Sequence, residues 1–171
     1  MADLLVRLYA LPPLAPALEV LAASGVEIRR ALAPERHVVV AWAAAHGSAG
    51  WASECEVAFG RVPLACFVAV ERPPGAPTPP GYVMTPQPLL GFACYEATCR
   101  NFFGPTLVRA DRRGAGIGRA LLLAALHAMR AEGYGYAIIG WANEVDFYRL
   151  AVGAVVIEGS EPGIYPPPLG R

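Results

Sequence analysis

The sequence predicts a mixed α/β domain in which helices pack on the faces of one sheet. Two observations support this class: three strand-like segments follow one another in the middle of the chain, and strand-like and helix-like segments alternate in its C-terminal third. The length of 171 residues is typical of one domain with its own hydrophobic core. A composition of 55% hydrophobic and 16% charged residues indicates a globular chain rather than a disordered one.

The N-terminal part of the chain is predicted to be rich in helices. Its segments are, in order, a short strand at residues 4–9, a helix at 14–23, a strand at 26–32 and a helix at 35–46. Pro34 fits the first turn of that last helix, because a proline there forfeits no hydrogen bond. Trp51, Cys55 and Phe59 recur at helical spacing, so we expect a second short helix to follow.

The C-terminal part contains most of the strand-like segments. They are strands at 64–70, 89–97 and 102–109, a helix at 116–132, a strand at 136–141, a helix at 144–152 and a strand at 154–158. The helix that ends at Gly133 is the clearest, since His127 and Arg130 lie in its last turns, where cations suit the helix dipole. Residues 73–88 and 162–171 are rich in proline and glycine, which predicts an irregular loop and an irregular tail.

Composition excludes several classes of function. The formal net charge is zero, which argues against a nucleic-acid-binding protein or a protein that binds an acidic membrane. The basic side chains are all arginine, so chemistry that needs a lysine amine is excluded. The longest apolar stretch, residues 120–129, is too short to span a bilayer. The four cysteines lack C-x-x-C spacing, so we expect no metal site and a reducing, cytoplasmic compartment.

The segment from residue 107 to 119, LVRADRRGAGIGR, is the part of the sequence that indicates chemistry. Gly114, Gly116 and Gly118 alternate at a strand-to-helix junction, where backbone can approach a ligand and the helix N-terminus favours an anion. Several arginines crowd the same end, and a polyphosphate would compensate their charge. The glycine spacing fits neither a Rossmann fingerprint nor a Walker A loop, but it fits R-x-x-G-x-G from Arg113. The simpler alternative is an ordinary tight turn into a helix.

This segment resembles the coenzyme A pyrophosphate loop of the GCN5-related N-acetyltransferase (GNAT) superfamily, followed by the long central helix of that fold. The order behind it is similar too: a strand, Asn143, then Tyr148 within a helix. The resemblance is specific over about residues 89–158. It implies one N-acyltransferase domain over 1–171 with a mixed, mostly antiparallel sheet and helices on both faces. Residues 1–24 have no counterpart in the minimal fold, so we expect them to form an N-terminal extension.

The resemblance also implies a reaction, in which an amine attacks the thioester of acetyl-CoA directly. Tyr148 would be the general acid that protonates the departing thiolate, and the N–H of Val108 would polarise the thioester carbonyl. The residues implied to contact the co-substrate are Thr106, Leu107, Val108, Arg109, Arg113, Gly114, Ala115, Gly116, Ile117, Gly118, Arg119 and Asn143. A CoA-binding sensor or interaction domain without catalysis is the alternative function, and a nucleotide-binding protein of another fold is disfavoured.

The general base is predicted less directly, since no family motif marks it. Glu96 is the first candidate and Glu54 and Glu56 are the next, although Glu96 could simply be a solvated carboxylate at a strand edge.

Other side chains also have simple structural alternatives. Tyr148 could be a packing residue, and Asn143 could cap the helix behind it. The tryptophans, including Trp51 and Trp141, are expected in the core. The acceptor is expected to be a small-molecule or peptide amine, with no nucleic-acid or membrane partner, and a homodimer is plausible for this superfamily.

Overall fold

The structure is a computed structural model that describes residues 1–72, 87–165 and 169. Its strands are β1 (Leu4–Arg7), β2 (Val26–Arg30), β3 (Cys66–Glu71), β4 (Leu89–Tyr95), β5 (Phe102–Val108), β6 (Tyr136–Ile139) and β7 (Val155–Val156). Its helices are α1 (Ala15–Ala23), α2 (Arg36–His46), α3 (Ala49–Phe59), α4 (Ile117–Ala131) and α5 (Val145–Val152). Each predicted helix and strand is present in the predicted order. The loop predicted at 73–88 lies outside the described residues except for its last two, and so does most of the tail beyond 165.

The seven strands form one sheet in the order β2-β3-β4-β5-β6-β1-β7. Neighbouring strands are antiparallel except for β5 and β6, which are parallel. Helices cover both faces, as two adjacent residues of β4 demonstrate. A Cβ on Gly91 would lie 3.3 Å from the Leu121 side chain of α4, whereas Phe92 packs edge-on against Trp42 of α2. Since successive residues of a strand point to opposite faces, α4 and α2 lie on opposite sides, and the predicted fold class is confirmed.

Residues 1–24, which were expected to form an N-terminal extension, supply strand β1 of the sheet and helix α1, which packs against α4. Strand β1 pairs with β6 through Leu4 and Ile139 and with β7 through Leu5 and Val155. The side chains of Leu4 and Val6 are completely buried. The short apolar run of β1 predicts a strand, but the neighbours of a strand depend on long-range pairing.

Helix α4 forms the centre of one side of the core, because the run from Ala120 to Met129 is buried except for His127. It packs against the strands from β2 to β5 and against α1. Among the described residues, no helix has the length and apolar character needed to cross a membrane. Because α4 packs against β5, it supports that strand and the glycine-rich loop, which joins β5 to α4.

Candidate functional site

The sheet opens between β5 and β6, and this opening creates the site. The two strands pair only at Phe102 with Ile138 and at Phe103 with Ile139, although β5 continues to Val108. Helix α5 lies beside the gap, where Tyr148 contacts Phe103 with ring centroids 6.4 Å apart. Beyond Phe103, the edge of β5 that faces away from β4 is therefore available to a ligand.

Two cavities lie along this edge. The glycine-loop cavity, of about 490 Å³, is lined by Thr106, Leu107, Val108, Arg112, Arg113, Gly114, Gly116, Gly118, Arg119, Leu122, Glu144, Phe147 and Tyr148. The aromatic cavity, of about 600 Å³, is lined by Met1, Trp51, Glu54, Thr98, Phe103, Gly104, Pro105, Thr106, Arg113, Ile139, Gly140, Trp141, Ala142, Asn143, Glu144, Tyr148 and Tyr165. The cavities share Thr106, Arg113, Glu144 and Tyr148, so a molecule in one can reach a molecule in the other.

The backbone of β5 presents Val108 to the open edge. The N–H of Arg109 donates to the carbonyl of Leu90 in β4 at 2.8 Å, so Arg109 faces the paired edge. The carbonyl of Val108 accepts a hydrogen bond from Arg113 Nε at 3.3 Å, on the other edge. Because neighbouring residues of an antiparallel strand alternate in the edge that they face, the Val108 N–H points into the gap. This is the position predicted for the donor to the thioester oxygen.

The glycine-rich loop leaves its amide groups free. Gly114 and Gly116 adopt left-handed φ angles of +80° and +84°, which favour glycine, and Gly116 precedes α4 without a side-chain cap. Among the described residues, the N–H groups of residues 114–119 have no acceptor. Gly114 and Gly116 are exposed, and a Cβ on either would meet nothing within 4 Å, so both residues border open space. Such a group of N–H donors at a helix N-terminus is suited to an anion.

Of the four arginines around the loop, two form ion pairs with carboxylates and two do not. Arg109 pairs with Asp111 at 2.6 Å and Arg112 pairs with Glu71 at 3.2 Å, so their charges are compensated. Arg113 and Arg119 line the glycine-loop cavity, and the described part of the chain offers neither of them a carboxylate. These two arginines are therefore the cations that an incoming polyphosphate would meet.

Some residues predicted to contact the co-substrate turn away from the cavities. Arg109 lines neither cavity, because its guanidinium is held by Asp111. The Ile117 side chain is buried in the core and Ala115 is exposed, so these two could contribute only backbone N–H groups. The other predicted contacts line one or both cavities. Spacing alone does not distinguish an arginine that faces the ligand from one that pairs with its neighbour.

Tyr148 stands at the junction of the two cavities. Its ring packs against Phe103 and Phe147, with ring centroids 6.4 Å and 5.0 Å away. Burial, followed by the charge of Glu144, raises the pKa of Tyr148 to about 12. The phenol therefore keeps its proton at neutral pH, as a residue that donates a proton must.

Asn143 lines the aromatic cavity and does not cap α5. The helix begins at Val145, and the residue at its cap position is Glu144, which makes no side-chain capping bond. The alternative in which Asn143 only caps this helix is therefore not what the structure shows, and among the described residues Asn143 borders the space that a ligand would occupy.

Glu96, the first candidate for the base, lies outside both cavities. It is neither solvated nor at an open edge, since its side chain is fully buried and pairs with Arg61 at 2.5 Å. Its carboxylate also accepts the N–H of Asn101 at 2.6 Å, across the turn between β4 and β5. The backbone at Glu96 has a φ of +57°, which folds the side chain inward, and a strand pattern does not predict that reversal.

Glu54 occupies the position that Glu96 was expected to fill. It lies in α3, lines the aromatic cavity and accepts a hydrogen bond from the Thr98 hydroxyl. Glu56, two residues along the helix, is turned away and pairs with Arg36 at 3.4 Å. Of the three carboxylates proposed from the sequence, Glu54 is the one that borders a cavity shared with Tyr148.

The aromatic residues of this cavity other than Tyr148 were not predicted as site residues: Trp51, Phe103, Trp141 and Tyr165. The two tryptophans were expected in the core, yet both line the aromatic cavity. Tyr165 comes from the tail and packs over Gly140, where a Cβ would lie 2.5 Å from its hydroxyl. These residues are far apart in the sequence and form no local pattern. In the described ranges, no group of His, Cys, Asp and Glu could hold a metal ion.

Three solved structures resemble this one over 91% of the chain. The first contains a GCN5-related glucosamine N-acetyltransferase region within a fungal multi-domain GH3 β-N-acetylglucosaminidase, with a TM-score of 0.68 and 14% identity. The second is a GCN5-related N-acetyltransferase from Sphaerobacter thermophilus, with a TM-score of 0.63 and 20% identity. The chain has the GNAT fold. A Drosophila melanogaster protein also matches, with a TM-score of 0.59 and 12% identity.

All three structures are longer than this chain, which spans 19%, 48% and 47% of their respective lengths. No protein-family model and no curated protein matches the sequence. The likeness to these structures shows the fold, and the residues of the two cavities are the basis for a statement about function.

Proposed function

We propose that this protein transfers an acetyl group from acetyl-CoA to a primary amine by direct attack. The observation that supports the proposal most strongly is the position of Tyr148, a protonated phenol at the junction of two cavities. One cavity offers free amides and cations suited to a polyphosphate, and the other offers a carboxylate suited to an amine. A transfer reaction needs two such sites with the reacting atoms between them.

The glycine-loop cavity would bind acetyl-CoA. Amides of residues 114–119 and the side chains of Arg113 and Arg119 would hold the pyrophosphate. The open edge of β5 from Thr106 to Val108 would pair with the amides of the pantetheine arm. Arg113 would have to leave the Val108 carbonyl, which it contacts here at 3.3 Å, so that this edge becomes available.

The aromatic cavity would hold the amine beside Glu54. A protonated amine cannot attack, so Glu54 would first accept a proton from it, directly or through water. The amine nitrogen then forms a bond to the acetyl carbon while the bond between that carbon and sulfur breaks. The N–H of Val108 would stabilise the negative charge that develops on the thioester oxygen, and the Tyr148 hydroxyl would protonate the departing thiolate. The second proton, which the nitrogen loses as the amide forms, would return to the Tyr148 oxygen directly or through water, while Glu54 releases the first proton to solvent.

The first experiment is a thermal-shift titration with CoA and acetyl-CoA, with ATP and NAD as controls. A ligand that binds only the folded state adds roughly 2.7 kcal/mol at a hundred times its Kd, which raises the melting temperature by several degrees. Release of free thiol is then followed with acetyl-CoA and a panel of amines. Stabilisation by the CoA compounds together with amine-dependent thiol release supports the proposal. Stabilisation without turnover would favour a CoA-binding domain without catalysis, and no stabilisation would remove the basis of both.

A further inference from the structure

The aromatic cavity is built to hold rings in fixed positions. The Trp51 ring lies against Gly47, where a Cβ would be 2.5 Å from it. The ring can take this position because Gly47 has no side chain. Trp141 donates its indole N–H to the carbonyl of Pro162 at 2.7 Å. The ring of Tyr165 lies beside that indole, with centroids 4.5 Å apart. Aromatic walls that are held in this way favour a ligand with a flat, apolar face.

Among the described residues, the charged groups that line this cavity are Glu54, Glu144, Arg113 and the Met1 amino group. Glu144 and Arg113 lie at the end shared with the glycine-loop cavity, so Glu54 and the Met1 amino group are the charges of the rest of the cavity. The Met1 amino group already pairs with Glu161 at 2.7 Å, which leaves Glu54 as the uncompensated charge there in the described part of the chain. A ligand with a positive charge is therefore favoured here, and one with a carboxylate of its own is disfavoured.

The aromatic wall and the acidic group meet at Thr98. The Thr98 hydroxyl donates to Glu54, and Thr98 and Tyr165 line the same cavity close enough to interact. A ligand that rests on the Tyr165 ring would therefore have its substituents close to the Glu54 carboxylate. This links the shape of the acceptor to the place where its proton is removed.

Resting on the proposed acetyl transfer, we infer that the acceptor is a protonated primary amine carried by a compact ring without a carboxylate. The ring lies against Trp141 and Tyr165, and its amine is directed to Glu54. Tyr165, a residue of the C-terminal segment, is thereby a specificity-determining residue. An arylalkylamine and an amino sugar share this chemistry, because both a benzene ring and the C–H face of a pyranose stack on aromatic side chains.

Steady-state kinetics with four amines tests this class at saturating acetyl-CoA. Phenethylamine and glucosamine represent the two ring types, hexylamine lacks the ring, and phenylalanine adds a carboxylate to phenethylamine. One or both of the ring amines should exceed hexylamine and phenylalanine in kcat/KM by about tenfold, the magnitude of one aromatic contact. The ring amine with the higher kcat/KM shows whether the acceptor's ring is a benzene ring or a sugar. Equal use of hexylamine would overturn the inference and leave the proposed acetyl transfer intact.

The variant Tyr165→Ala should raise the KM of the preferred ring amine about tenfold, with little change in kcat or in the KM of acetyl-CoA. Tyr165→Phe keeps the ring and separates stacking from the interaction with Thr98. The control is Tyr9→Ala, which removes an exposed tyrosine that packs on Tyr136, remote from both cavities. An equal loss with every amine would show that Tyr165 supports the fold rather than selects the acceptor.

A second readout does not depend on turnover. Quenching of tryptophan fluorescence by each amine, in the presence of CoA, reports binding next to Trp51 and Trp141. Ring amines should quench at lower concentration than hexylamine, and Tyr165→Ala should remove that difference. If CoA binds and the ring amines quench without any thiol release, the acceptor class stands and the proposed transfer fails. If every amine quenches the wild type and Tyr165→Ala at the same concentration, the proposed acceptor class is wrong.

Discussion

The two cavities of the site differ in how the chain builds them. Of the residues that line the glycine-loop cavity, all but three lie between Thr106 and Leu122, and those three come from the beginning of α5. The aromatic cavity draws its lining from the N-terminus, α3, three separate strands or turns, α5 and the tail. A contiguous segment leaves a motif in the sequence, whereas a surface assembled by tertiary contacts does not. The sequence therefore indicates the co-substrate more readily than it indicates the acceptor.

The largest effect is expected at Tyr148, which lines both cavities. The variant Tyr148→Phe keeps the ring against Phe103 and removes the proton donor. We expect kcat to fall by about 10²- to 10⁴-fold, the usual contribution of a general acid, while the affinity for CoA stays within about twofold. Single-turnover thiol release and a CoA thermal shift measure the two quantities.

Tyr136→Phe is the matched control for that experiment, since Tyr136 is half exposed and lines neither cavity. It should leave kcat unchanged. If Tyr148→Phe behaved like this control, Tyr148 would be a packing residue only, and the thiolate would take its proton from solvent.

Glu54 and Glu96 were both candidates for the base, and substitution of each by glutamine should have different effects. Glu54→Gln should lower kcat/KM for the amine by about a hundredfold without a change in stability, because Thr98 can still donate to the amide oxygen. Glu96→Gln should lower the free energy of unfolding by about 2–3 kcal/mol, because it leaves the Arg61 charge unpaired beside a buried group. Urea titrations and rates per folded molecule measure both effects.

Glu56→Gln serves as the control for Glu54→Gln, because Glu56 lies on the same helix and faces away from the aromatic cavity. It should leave both kcat/KM for the amine and the free energy of unfolding close to those of the wild type. A rate lost in Glu96→Gln at unchanged stability would reverse the assignment and return Glu96 to the role of base.

These cases show which parts of the structure the sequence could predict. The helix and strand order follows from periodicity, and the glycine-rich loop follows from residues that are adjacent in the chain. The inward turn of Glu96 depends on a positive φ and on the Arg61 partner, neither of which has a local signature. The place of β1 between β6 and β7 and the contact of Tyr165 with the cavity join distant parts of the chain. Pairings of that kind are determined by the whole core rather than by the segment itself.

A sharper test of the glycine-loop cavity uses two glycines at opposite ends of α4. Gly116 has a φ of +84° and Gly133 a φ of +98°, and an added Cβ would meet nothing within 4 Å at either place. Alanine should therefore cost about 1 kcal/mol of stability in both variants. Only Gly116→Ala should weaken CoA binding, by about tenfold or more, because it alters the amides around the anion. Equal CoA affinities measured by calorimetry would contradict a pyrophosphate site at this loop.

The smallest effect appears only in alkali and compares Tyr148 with Tyr95, which is completely buried. The pKa of each is raised from 10.0 to about 12, so the unfolded chain loses the proton first and stability falls as pH rises from 10 to 12. At pH 11 each tyrosine should cost the wild type about 1.4 kcal/mol relative to its phenylalanine variant. Tyr95→Phe should already be less stable at pH 7, because its hydroxyl bonds to Glu132 and Arg30. Tyr148→Phe should match the wild type there, since the described residues offer its hydroxyl no partner, and should become the more stable protein above pH 10. Urea unfolding from pH 8 to 11 measures this, and parallel curves for wild type and Tyr148→Phe would mean that water already solvates the phenol.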